Sequence, residues 1–153
     1  MRPSPTLLLL ALLPLSAQAD CQADAALAVQ FMNSYLQRIE QAPQADVTQW
    51  LRRHPLADAS LAEAYAREQA RGRGIDPQLG WGLDLLLDAQ DYPDAGFELQ
   101  HCGPLPGLLR LRGRDWPQFS LSVRLIDTPA GRRVAGAGRI AIEPAQRAPR
   151  GEY

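Results

Sequence analysis

The sequence is poor in the residues on which most catalytic and metal sites depend. It contains no lysine, since all 16 basic residues are arginine, and it has two histidines and two cysteines. There is no Gly-x-Ser-x-Gly element, and His54 and His101 fall in different predicted elements, so a hydrolase triad is not indicated. No cofactor-binding motif is present. We therefore expect a protein that has no catalytic activity and binds no cofactor.

The sequence also lacks a charge excess and a long apolar run. Its 16 arginines and 17 acidic residues give a net charge of −1. Nucleic-acid-binding domains show a basic excess, so we expect no nucleic-acid partner. After the N-terminus no apolar stretch approaches the roughly 20 residues of a membrane span. The sequence carries no signal of the oligomeric state.

The N-terminus has the pattern of a signal peptide. A positive charge at Arg2 precedes the apolar run 7–15, and the small residues Ala17 and Ala19 mark a cleavage site. We expect cleavage after Ala19, which makes residues 1–19 the signal peptide and places the protein in the periplasm. Residues 20–144 then form a single domain, and the polar residues 145–153 form a flexible tail.

The two cysteines, Cys21 and Cys102, both lie in the exported part of the chain. Cys21 is close enough to the cleavage site for a lipoprotein, but lipidation needs a small uncharged residue before the cysteine, and that residue is Asp20. An isolated pair in an oxidising compartment most simply forms a disulfide. The sequence therefore predicts a Cys21–Cys102 disulfide in a protein without a lipid anchor.

Apolar periodicity predicts helices in the first half of the chain and strands in the second. The expected helices cover 24–41, a segment capped by Asp46, and a segment from a Ser60–Glu63 capping box to Gly72. The expected strands cover 97–102, 108–114, 118–126 and 132–142, with a bulge or bend at Gly136 and Gly138. This order indicates an α+β fold, with N-terminal helices packed in the concavity of a curved antiparallel sheet of about four strands.

Two segments carry a resemblance to a known family. They are the helix that opens Ala28-Val29-Gln30-Phe31 and reaches Tyr35-Leu36, and the segment Leu87-Asp88-Ala89-Gln90-Asp91-Tyr92. With these the chain resembles an uncharacterised family of small exported bacterial proteins of the nuclear-transport-factor-2-like fold. It departs from that pattern at Leu85-Leu86-Leu87, where the family has Pro-Phe. The resemblance implies a cone-shaped fold and no single activity, because such folds host enzymes and binders alike.

The segment around residue 88 is the densest group of candidate site residues. Asp84, Asp88 and Asp91 are spaced by four and three, which on a helix places their carboxylates on one face, where they would form a weak calcium site. The pattern lacks the glycine and alternation of a calcium loop, so we favour a solvated turn. Gln90, Asp91 and Tyr92 either bind a ligand or hold an irregular loop by hydrogen bonds to its backbone, and we favour the structural role.

Two further groups suggest a protein partner. Arg110 and Arg112 alternate along one strand and would present guanidinium groups to an acidic partner. Trp81 and Trp116 each lie in a predicted turn beside glycine or proline and, where exposed, are typical interface anchors. The alternative for the arginines is a solvated sheet face, and the alternative for the tryptophans is burial in the core.

Export, small size and the lack of an active-site motif favour a non-enzymatic periplasmic protein that binds a protein partner. A concrete form is an immunity-type inhibitor, which shields its cell from a toxin that acts in the envelope. The alternative is a small-ligand-binding module or an enzyme that uses the pocket of the cone, with Asp91, His101 and Tyr35 as polar lining. An Asp91–His101 pair would be the catalytic centre of that enzyme.

Overall fold

The computed structural model describes residues 15–149 and confirms the predicted α+β fold. The helices are α1 (Leu15–Gln41), α2 (Val47–Arg53) and α3 (Ala59–Ile75), and the strands are β1 (Phe97–Cys102), β2 (Leu108–Gly113), β3 (Ser120–Thr128) and β4 (Gly131–Ala137). The strands form one open antiparallel sheet in the order β1-β2-β3-β4. No helix among the described residues is long and apolar enough to cross a membrane.

Helix α1 begins at Leu15 rather than at the predicted Asp24. The described residues therefore include the last part of the predicted signal peptide, whereas residues 1–14 lie outside them. The apolar stripe of α1 is buried as expected, and Phe31, Met32 and Tyr35 are among its most enclosed side chains. Burial of each such side chain contributes about 1.5–3 kcal/mol, so α1 is held against the sheet mainly by this stripe.

Aspartates begin the other two helices. Asp46 caps α2 as predicted, and its carboxylate accepts the Gln49 N–H at 3.2 Å. Helix α3 is capped by Asp58, whose carboxylate accepts the Ser60 N–H at 2.9 Å, so the predicted capping box at Ser60 is wrong. Gly72 is predicted to end the helix, but it is buried within α3, and the helix continues to Ile75.

Leu121, Val123 and Leu125 of β3 are buried as predicted, but Ser122 between them is buried too, because the segment after β4 covers it. Strand β4 ends at Ala137, earlier than predicted, because Gly138 adopts a positive φ of 60° and turns the chain back so that Ile140 bridges to Ala137. The expected irregularity is present, since the β3–β4 register shifts after Arg124. A side chain at 138 would meet the Leu86 carbonyl at 2.4 Å, so the turn requires glycine.

The segment after β4 packs on the sheet. Pro144–Gln146 forms a 3₁₀ turn, and the Ser122 hydroxyl donates to the Gln146 carbonyl at 2.6 Å. The Arg110 guanidinium donates to the Arg147 carbonyl at 3.4 Å. Residues 144–147 thus contact the sheet, and residues 150–153 of the predicted tail lie outside the described residues.

The start of α1 is tied to two strands. Cys21 and Cys102 lie at disulfide distance, with 6.2 Å between their Cα atoms, as the sequence predicts. Asp24 is buried and accepts two hydrogen bonds from the Arg132 guanidinium, at 2.9 and 2.7 Å. A bidentate pair of this kind fixes the helix in orientation as well as in position.

Candidate functional site

Five of the predicted binding residues line one surface cleft of about 410 Å³. One wall is Trp81 with the segment 82–91, here called the cleft loop, and the opposite wall is the turn that carries Trp116 and Phe119. Residues 120–122 of β3, Gly138, Ala148 and Pro149 also line the cleft. The predicted residues that meet there are Trp81, Asp88, Gln90, Asp91 and Trp116.

Trp81 is a fixed wall of the cleft. Its indole N–H donates to the Glu68 carbonyl at 2.9 Å, and its ring packs on Gly72 so closely that a Cβ at position 72 would lie 2.6 Å from the ring. The Arg139 guanidinium lies 4.7 Å from the ring centroid. The two anchors on α3 and the stacked cation hold the half-buried indole in one orientation.

The cleft loop is closed on itself. The Asp84 N–H donates to the Ala89 carbonyl, and the Gln90 side-chain amide donates to the Gly82 carbonyl, both at 2.9 Å. Asp88 adopts a positive φ of 53° and forms an ion pair of 3.5 Å with Arg139. These contacts fix the conformation of the loop, in line with the structural role that the sequence suggests for Gln90.

The aspartate that organises the cleft loop is Asp84. One carboxylate oxygen accepts the N–H groups of Leu86 and Leu87, both at 2.9 Å, and the other accepts the Tyr35 hydroxyl at 2.6 Å. Burial raises the pKa of Asp84 and that of the Tyr35 phenol. The sequence suggests Gln90, Asp91 or Tyr92 for this anchoring role, so the principal residue was missed, although its spacing from the apolar run 85–87 marks an Asx-type turn.

The opposite wall is held from two sides. The Trp116 ring lies 5.3 Å from that of Phe119, and the Phe119 N–H donates to the Trp116 carbonyl at 3.0 Å. The Asp115 carboxylate accepts the N–H groups of Asp94 and Ala95, both at 3.1 Å. This joins the chain that leaves the cleft loop to the turn that carries Trp116.

The weak calcium site has no support in the geometry. The segment 83–90 is not a helix, and its three acids take different surroundings: Asp84 bonds to Tyr35, Asp88 pairs with Arg139, and Asp91 is exposed at the cleft. Within residues 15–149 no group of three or more His, Cys, Asp or Glu side chains is arranged to hold a metal ion. The predicted helical spacing therefore does not produce a shared face.

The polar lining expected for a cone pocket does not converge. Tyr35 of α1 is buried and bonded to Asp84, whereas His101 is exposed on β1, with its ring bonded to the Cys102 carbonyl at 3.0 Å. Asp91 lines the cleft and His101 does not. The space between helices and sheet is filled by Phe31, Tyr35 and their neighbours, so the concavity is core rather than pocket.

A serine–histidine pair that sequence reasoning missed lies between α1 and α2. The Ser34 hydroxyl is 2.9 Å from His54 Nε2, and it donates to the Phe31 carbonyl at 2.7 Å. His54 Nδ1 accepts the Leu56 N–H at 3.1 Å, so the ring proton sits on Nε2, which donates to Ser34. A nucleophilic serine needs the reverse direction, so this pair is structural.

The predicted arginine stripe and Tyr92 lie outside the cleft. Arg110 is half-buried and bonded to the Arg147 carbonyl, and Arg112 pairs with Glu98 at 2.8 Å on the exposed face. Tyr92 is half-buried against the core. Both guanidinium groups thus have partners inside the chain: Arg112 pairs with the neighbouring strand β1, and Arg110 bonds to the segment 144–149, whose return across the sheet strand alternation does not reveal.

A second concavity of about 730 Å³ surrounds the Cys21–Cys102 pair and the loop 103–107. Its buried acid, Asp24, is fully engaged by Arg132.

Comparison of the chain with protein-family models, with curated protein sequences and with solved structures found no match. The case for function therefore rests on the geometry of the cleft.

Proposed function

We propose that this is a non-enzymatic binding protein of the cell envelope, which takes a segment of a protein partner into the cleft between Trp81 and Trp116. The observation that carries the proposal is the meeting of both tryptophans with Asp88, Gln90 and Asp91 at one surface. An immunity-type inhibitor that occludes a toxin is the concrete form of this function. The nuclear-transport-factor-2-like relationship remains a proposal beside it.

The walls of the cleft have the properties of an interface anchor. Tryptophan is enriched among the residues that dominate binding energy, particularly in well-packed pockets. Trp81 is fixed by Glu68 and Gly72, and Trp116 by Phe119. Because these rings are already ordered, binding would not have to immobilise them, and preorganisation of this kind favours affinity.

The polar groups support binding rather than catalysis. In the serine–histidine contact described above the histidine donates to the serine, the reverse of what a nucleophilic serine needs. The pair also lies between α1 and α2, outside the cleft. Asp88, which lines the cleft, is engaged by Arg139. The predicted signal peptide and the Cys21–Cys102 pair support a partner met in an oxidising compartment.

The test is an affinity purification from periplasmic extract of the source organism. The wild-type chain is compared with Trp81→Ala, Trp116→Ala and the control Leu105→Ala, which shortens an exposed leucine outside the cleft. We expect one stoichiometric partner, whose affinity for the purified chain falls at least about tenfold with either tryptophan variant and is unchanged by the control. A partner bound equally by all four chains would refute the cleft as its site.

A small-ligand-binding module is the second candidate, because the cleft volume of about 410 Å³ lies within the range of small-molecule pockets, roughly 300–1,000 Å³. It predicts that a low-molecular-weight fraction of the extract raises the melting temperature of the wild-type chain and not that of Trp116→Ala. Absence of any such shift, together with a bound protein partner, would decide for the first proposal.

A further inference from the structure

We infer that the cleft recognises a basic segment of its partner, in which an arginine or lysine stands beside a large apolar side chain. This inference rests on the proposed protein-binding function and names the chemistry of the bound segment. It follows from three features of the lining: the exposed carboxylate of Asp91, the hydrogen-bond acceptors and the apolar walls.

The charge of the lining has one sign. Asp88 and Asp91 line the cleft, and no arginine or histidine side chain is among the lining residues within 15–149. Arg139 compensates Asp88 from behind. Asp91 is exposed and has no hydrogen-bond or ion-pair partner within the same residues. The cleft therefore presents the carboxylate of Asp91 to whatever enters it, and a cation is its complement.

The hydrogen-bonding groups point to the same occupant. The donors of Trp81, Ser120 and Ser122 are spent on the carbonyl of Glu68, the side chain of Gln100 and the carbonyl of Gln146. Gln90 donates one of its two amide N–H groups to Gly82, and its side-chain oxygen remains an acceptor. A lining rich in acceptors favours guanidinium or ammonium groups, which only donate.

The apolar walls require a second side chain next to the cation. Leu83 lines the cleft beside Trp81, and the side chains of Leu83, Trp81 and Trp116 are each half-buried. A lone cation would leave these surfaces in water, whereas an aromatic or branched aliphatic side chain would bury them. The segment that fits is therefore a basic residue adjacent to a large apolar one.

Four probes test the inference by isothermal titration calorimetry on the disulfide-bonded chain. They are the blocked peptides Gly-Arg-Phe-Gly, Gly-Glu-Phe-Gly and Gly-Arg-Ala-Gly, and the neutral trisaccharide of N-acetylglucosamine. We expect the Arg-Phe peptide to bind about tenfold or more tightly than each of the other three. Its affinity should also fall as salt is raised, because the attraction to the exposed Asp91 carboxylate is screened.

Matched variants locate the contact. Asp91→Asn should weaken the Arg-Phe peptide about two- to fivefold, as expected for an exposed ion pair, whereas Asp94→Asn removes a nearby exposed acid outside the lining and should leave binding unchanged. Equal binding of the Glu-Phe peptide, equal effects of the two variants, or preference for the trisaccharide would overturn the inference. A partner captured through Trp116 by an acidic segment would overturn it while leaving the proposed function intact.

Discussion

At the residue scale the molecule depends on two polar contacts of α1 with other elements. The Tyr35 hydroxyl bonds to Asp84 of the cleft loop, and Ser34 bonds to His54 after α2. Each contact satisfies a group that burial has removed from water. A polar group left without its partner in such a place costs more than the bond itself contributes.

Tyr35→Phe removes the hydroxyl that bonds to Asp84. We expect the free energy of unfolding at neutral pH to fall by about 1–3 kcal/mol, because one carboxylate oxygen is left unsatisfied. Urea unfolding followed by circular dichroism measures the change. Tyr92→Phe is the matched control, a half-buried tyrosine for which we expect a change within about 0.5 kcal/mol. Equal losses in both variants would contradict the role of Asp84.

His54 makes stability depend on pH. Burial lowers the pKa of His54, so the unfolded chain binds more protons than the folded chain between the lowered value and about 6.5. The stability that His54 contributes is present above about pH 6.5 and is lost as pH falls through the lowered pKa. We therefore expect the difference in unfolding free energy between wild type and His54→Gln to shrink as pH falls from about 6.5 toward the lowered pKa.

Urea titrations at a series of pH values from about 7.5 to 5 measure this difference. His101→Gln, at the exposed histidine, is the comparison for replacing a histidine elsewhere on the chain. The Asp84 contribution has the opposite sign, since its raised pKa makes the folded chain gain stability as pH falls toward about 3.8, and it cancels in the comparison. A constant difference for His54→Gln would refute the assignment.

At the element scale, Gly72 and Gly74 of α3 form a natural comparison. Glycine to alanine inside an exposed helix position stabilises by up to about 1 kcal/mol, and position 74 has no heavy atom near enough to oppose it. At position 72 the new Cβ would lie 2.6 Å from the Trp81 ring. We expect Gly74→Ala to stabilise and Gly72→Ala to destabilise the chain and to weaken partner binding.

Urea unfolding measures the stability of each variant, and a binding titration measures its affinity for the partner. The comparison separates helix propensity from the position of the indole, since the two changes lie in the same helix. Unaltered affinity in Gly72→Ala would show that the cleft tolerates a displaced Trp81.

The elements were largely predictable from the sequence because their signals are local. Alternation in Leu121, Val123 and Leu125 marks β3, and three- and four-residue spacing marks α1. The sequence indicated which residues could form the site, but not how they are arranged in space. Trp81 packs on Gly72, and Gly138, just after β4, packs against Leu86 of the cleft loop; both are contacts between different elements, which periodicity does not contain.

At the scale of the whole molecule, the Cys21–Cys102 pair joins the start of α1 to β1 across a separation of 81 residues. Chain-entropy reasoning gives about 4–5 kcal/mol for a closed loop of this length. We expect the Cys21→Ser, Cys102→Ser double variant to lose stability on that scale while keeping partner affinity, because neither cysteine lines the cleft.

Urea unfolding with and without a thiol reductant checks the stability, and calorimetry checks the affinity. The reduced wild-type chain is the control for the substitutions themselves, so it should match the double variant. Loss of binding in a chain that is still folded would indicate that the position of α1 sets the cleft.

The three tryptophans stand in three separate surroundings, and this gives the folded chain a spectroscopic signature. Trp50 lies 4.6 Å from the His54 ring, Trp81 lies under the Arg139 guanidinium, and Trp116 lies beside Phe119. Emission from the first should report the protonation of His54, and emission from the other two should report occupancy of the cleft. The protein therefore carries intrinsic fluorophores that distinguish the surroundings of His54 from the cleft without any added label.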